Sequence, residues 1–137
     1  MSEPPTSPLS TPVAVAVGVG CGRLTAVAVR GLAPAARLRV LSLSLVPVAL
    51  VYPLARTAVP DKRAILREAG GVAAMGFVAA LAVRRDRANQ VAAGGWLAHA
   101  AFDLIHDPGG GSLIPRWYPA LCAGFDVGVA WDLLAKP

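Results

Sequence analysis

The sequence predicts an all-α bundle of about five helices embedded in a membrane, and three observations carry that expectation. Of the 137 residues, 55% are hydrophobic, and the mean hydropathy is +0.58. Thirteen Lys and Arg with eight Asp and Glu leave only 15% of the chain charged, against roughly 25% in soluble domains. A particle this small has too much surface for so few charges to cover. The third observation is the layout, in which long apolar runs alternate with short charged breaks. Length sets one domain, 13–137, after a Ser, Thr and Pro-rich segment, 1–12, that reads as a disordered tail rather than a cleaved leader.

Crossing a bilayer takes about 20 apolar helical residues, with roughly 17 to 25 tolerated. Five runs qualify to different degrees: 13–29, 40–54, 65–83, 91–105 and 117–135. The third and fifth meet the length outright, and the second and fourth reach it with flanking residues. Run 13–29 carries Arg23 in mid-span, a costly position, so the alternative is four spans plus a surface-lying first segment. None of the longer runs alternates polar and apolar residues, which argues against a barrel. In the third run Gly70, Gly71, Ala74 and Gly76 are small enough to permit close helix packing.

Charge orients the bundle. Arg30, Arg37, Arg39, Arg84, Arg85, Arg87 and Lys136 fall on one side, and Arg56, Lys62, Arg63, Arg67 and Arg116 on the other. The positive-inside rule then places the C-terminus in the cytoplasm of a multi-pass cell-membrane protein. The net charge of +5 does not signal nucleic acid, because no basic helix face or aromatic platform accompanies it. Cys21 and Cys122 are far apart in apolar runs, which predicts no disulfide and no metal-binding cysteine motif.

Chemistry concentrates in Glu68, His99, Asp103, His106, Asp126 and Asp132, all inside the apolar runs. An ionisable group at membrane depth costs a few kcal/mol, so it calls for a partner or a function. His99, Asp103 and His106 are spaced i, i+4, i+7 and fall within about 60° on a helix. Tyr118, Cys122 and Asp126 form a second stripe. Counting helical rise from each end brings Glu68, Asp103, Cys122 and Asp126 to similar depth, with Tyr52 on the same side and Asp132 at the other end.

Three chemistries fit Glu68, His99, Asp103, His106 and Asp126. All five can ligate a divalent metal ion, and Asp103-x-x-His106 has the i, i+3 spacing of carboxylate-bridged di-metal bundles, which carry that pair twice where this chain carries it once. Glu68, His99, Asp103 and Asp126 can also serve as acid and base toward a lipophilic small molecule. They can relay protons or cations, for which five helices would call for a homo-oligomer. The fourth reading is structural or partner-binding, with each His satisfied by an Asp to fix helix register. Gly109-Gly110-Gly111-Ser112 has no phosphate-loop lysine after it and reads as a flexible turn, with Asp107-Pro108 ending the helix before it.

The second half of the chain also resembles a known group. Glu68-Ala69-Gly70-Gly71, Gly95-Trp96-Leu97-Ala98-His99 with Asp103 and His106, Trp117-Tyr118-Pro119 and Cys122-Ala123-Gly124-Phe125-Asp126 are similar to a pattern found in small bacterial multi-pass membrane proteins of uncharacterised function. The likeness runs over 50–134. It implies a membrane bundle and the same polar set, and it implies no particular activity. Those proteins show Trp where this chain has Phe102, and a different neighbourhood at Tyr52-Pro53.

Overall fold

The computed structural model describes residues 11–59, 61–84, 87–106 and 111–135. Most of the tail 1–12, the turn after His106 with its Asp107-Pro108 stop, and Arg85, Asp86 and Lys136 lie outside the described residues. The chain is all-helical, with α1 (Thr11–Ala28), α2 (Pro34–Leu43), α3 (Leu45–Ala49), α4 (Val51–Leu54), α5 (Lys62–Ala82), α6 (Ala88–Ile105) and α7 (Tyr118–Leu134). Among the described residues β-pairing amounts to a single antiparallel bridge between Arg56 and Ser112.

Helices α2 to α4 form one rod with two hitches. Pro47 and Pro53 have no N–H to give to the turn before them, which interrupts the ladder. Backbone bonds such as Ser44 N–H to Val40 O at 3.0 Å and Leu54 N–H to Leu50 O at 3.1 Å carry the rod through. The Ser44 hydroxyl also donates to Val40 O at 2.7 Å, a back-bond that loosens a helix. Pro34 sits in the first turn of α2, where no N–H is needed. Asp61 caps α5 by accepting the Ala64 N–H at 2.7 Å.

Five rods therefore stand up and down in sequence. Glu68 meets His106, Gly71 faces Phe102 and Gly95 faces Val78, which makes α5 and α6 antiparallel. Gly124 lies on Val15 and Gly128 on Val19, so α1 and α7, first and last, run parallel. This contact is the tightest in the bundle. A methyl added at Gly18, Gly22, Gly124 or Gly128 would collide with the facing backbone, so only hydrogen fits there. The small residues of α5 behave otherwise: a methyl at Gly70 or Gly76 meets nothing, and one at Gly71 meets only the Phe102 ring at 3.6 Å. Close packing belongs to α1 and α7, and the open face of α5 leaves a groove.

The run containing Arg23 is a full helix, and its guanidinium lies 5.1 Å from the centre of the Trp131 ring. A cation held on an aromatic face is partly compensated for its surroundings. The core joins Leu41, Leu45 and Met75 to Trp96, Val129 and Leu133. Trp96 Nε1 donates to Leu41 O at 3.1 Å, tying α6 to the bent rod. Around this core the ordinary distribution of residues is inverted. Leu24, Leu66, Phe77, Leu104 and Ile105 face outward, while Glu68, His99, Asp103, Asp126 and Asp132 are buried. Among the described residues three helical rods, Thr11–Ala28, Pro34–Leu54 and Lys62–Ala82, are long and apolar enough to cross a membrane.

Candidate functional site

Helices α6 and α7 supply the centre. His99 and Asp103 are one turn apart on α6, and Asp126 projects from α7 opposite them. His99 Nδ1 lies 2.8 Å from Asp126 Oδ2 and 3.5 Å from Asp103 Oδ2. One ligand atom from each of the three residues falls within 4.8 Å of the other two. All three are buried, Asp103 and Asp126 each at 1% exposure.

The bonding is unequal. An ionised Asp126 accepts from Nδ1–H of His99, and that bond holds the ring proton on Nδ1. Nε2 is then the ring atom left over, and it is buried with no hydrogen-bond partner among the described residues. Neither oxygen of Asp103 has one either. The Tyr52 hydroxyl stands against Asp103, close enough to interact with it without meeting full hydrogen-bond geometry. Two carboxylates beside one imidazole, sealed from water, leave negative charge that this centre does not balance itself.

Glu68 and His106 stand apart from that group. His106 lies one residue past the end of α6, with extended backbone (ψ 119°), so the helical stripe through His99 and Asp103 does not reach it. Its ring stacks on Phe102 at 4.7 Å, meets Tyr52 edge-on at 4.8 Å, and places Nε2 3.1 Å from Glu68 Oε1. Glu68 is in turn gripped by Arg56, whose Nε donates to Oε2 at 3.2 Å while its terminal nitrogen pairs with Oε1. That carboxylate raises the pKa of Arg56, which stays charged. The bridge to Ser112 holds Arg56 in place through Thr57 N–H to Gly111 O and Leu113 N–H to Ala55 O, both 2.9 Å. The five residues expected at one site thus form two groups, with Tyr52 and Phe102 between them.

Arg56 is the residue that sequence reading placed only as a loop charge. Glu68 follows it by twelve positions across a turn, and no helical periodicity links the two. Cys122 sits one turn before Asp126 beside Tyr118, at the edge of the centre, and both cysteines are free.

A cleft of about 370 Å³ opens beside the centre between α5 and α6. Gly70, Gly71 and Ala74 form one wall, with Ala98, Phe102 and Ile105 across from them. His99 and Glu68 line it at depth, and Arg67 lines it toward the start of α5. The small residues of α5 thus make a space rather than a helix contact.

At the opposite end of the bundle Asp132 is buried and accepts from two arginines, Arg30 on one oxygen and Arg37 on the other. Comparison of the chain with known family profiles, with curated proteins and with solved structures returns no match.

Proposed function

We propose that the protein is a multi-pass membrane protein whose His99, Asp103 and Asp126 hold a divalent cation for chemistry on a lipophilic substrate. Five rods of alternating direction, three of them long and apolar enough to span, support an integral bundle with lipid against its exposed leucines. The observation that carries the metal reading is Asp103, a buried carboxylate whose oxygens make no full hydrogen bond among the described residues, with only the Tyr52 hydroxyl and His99 Nδ1 at 3.5 Å close by, beside a second carboxylate and an imidazole. A divalent cation among them balances the charge and occupies the orphaned lone pairs. One nitrogen with two oxygens suits a first-row divalent ion such as Zn²⁺ or Mn²⁺. Bound there, the ion would supply a Lewis acid next to a cleft that opens between two lipid-facing helices.

In this reading the chain's own residues have separate tasks. Without the ion, Asp126 orients His99 through the 2.8 Å bond. Tyr52 faces Asp103 and closes the centre off from the Glu68 group. Arg56 neutralises Glu68, which keeps that carboxylate out of competition for the cation. The setting is the cell membrane, with the C-terminus on the cytoplasmic side.

The His99–Asp126 bond also favours a second reading, in which Nε2 of His99 acts as a base without metal. Elemental analysis of the purified protein separates the two. The metal reading expects about one divalent ion per chain, lost in Asp103→Asn and in His99→Gln but kept in His106→Gln. A protein that carries none, and takes up none on titration with Zn²⁺ or Mn²⁺, overturns it in favour of the base.

A further inference from the structure

We infer that the α5–α6 cleft binds an amphiphile with a single long apolar chain and an anionic head, the head held by Arg67. The inference deepens the reading above by naming the class of molecule that reaches the centre, and it rests on that reading only for what happens after binding.

The cleft has a direction. Because α5 and α6 are antiparallel, Arg67 and Ile105 mark one end, and Met75 and Ala98 mark the other. Eight residues separate Arg67 from Met75, about 12 Å of helix. The long axis of the cleft therefore follows the helix axes, as lipid chains do, with Arg67 near the start of α5 and the far end at mid-helix. Apart from Arg67, only Glu68 and His99 break an apolar lining. Few polar groups in an apolar cleft of this size are the mark of a small-molecule site.

Charge decides the head. Glu68 is already matched by Arg56 and His106. Arg67 is exposed at the mouth, and Arg63 stands one turn earlier on the same face of α5. That end is cationic, and an arginine fork recognises phosphate or carboxylate oxygens. Near the far end of the lining, level with Ala74, the imidazole of His99 is buried, and its Nε2 has no partner among the described residues. A chain seated with its head at Arg67 lies along α5 and brings a segment about 10 Å beyond the head to His99.

Dodecyl phosphate is a suitable probe, with dodecanol and dodecyltrimethylammonium as comparisons, and native mass spectrometry of the protein released from neutral detergent as readout. The expected result is one dodecyl phosphate per chain, bound at least about tenfold more tightly than either comparison. Arg67→Gln should remove that preference while leaving metal content unchanged. Ala74→Phe, which fills the cleft from an exposed position, should abolish the adduct, and Arg39→Gln at the other end should do nothing. Equal binding of all three probes, or dodecyl phosphate binding unchanged in Arg67→Gln or Ala74→Phe, overturns the inference. Binding with these variant effects in a protein that holds no metal upholds the cleft and sinks only the metal reading.

Discussion

Two buried acids on one helix, less than two turns apart, have opposite surroundings. Asp132, near the end of α7, gives one oxygen to Arg30 and the other to Arg37, and the three residues fasten α7 to the chain that leaves α1 and enters α2. Asp126 lies less than two turns earlier, shares its imidazole partner with Asp103, and no arginine reaches either of them among the described residues. Burial is the same, and satisfaction is not. A saturated carboxylate is a structural clamp, whereas a pair left short of positive charge has capacity for a ligand. Glu68 lies between these extremes, matched by Arg56 but also touching His106 and lining the α5–α6 cleft.

That contrast can be broken by substitution. Asp132→Ala should cost the most, about 2 to 3 kcal/mol, because it leaves two arginines facing each other over a hole. The figure falls below that for a fully enclosed pair because the Arg30 side chain is 52% exposed. Thermal unfolding in detergent, with metal chelated, measures it. Under the same conditions Asp103→Asn should leave stability within about 1 kcal/mol of the parent or raise it, since it removes a buried charge that shares one imidazole with Asp126 and has no arginine against it. A loss at Asp103 as large as that at Asp132 would erase the distinction between clamp and centre. The smallest effect belongs to Asp61, where the Ala64 N–H holds the carboxyl below its ordinary pKa. Its capping contribution is present above the usual carboxylate range and fades as pH falls through it, because the folded value is the lower one. Asp61→Ala should lower stability slightly and evenly above pH 6 and flatten the acid limb, so that the two proteins converge as pH falls.

Much of this was legible in the residues. Composition and the spacing of apolar runs gave five rods, and i, i+4 geometry paired His99 with Asp103 correctly. The same geometry failed at His106, because α6 stops at Ile105 and the next residue turns its ring toward Tyr52 and Glu68. Arg56 was invisible as a site residue because its position depends on a bridge to Ser112, far along the chain. The glycines misled in a useful way. Gly70 and Gly71 have the size for helix packing, yet the close contact formed at Gly18, Gly22, Gly124 and Gly128, where both helices present glycine at intervals of four. A small residue on one helix permits approach, and only a matching one on its neighbour makes it happen.

The division of the five polar residues into a ligand set and a neutralised pair is tested most directly by loading the purified protein with Mn²⁺ and measuring its magnetic coupling to nitrogen by pulsed electron resonance. One imidazole nitrogen should couple to the ion, vanish in His99→Gln and persist in His106→Gln. Coupling to two imidazoles, or a signal that survives without His99 and disappears without His106, would contradict it.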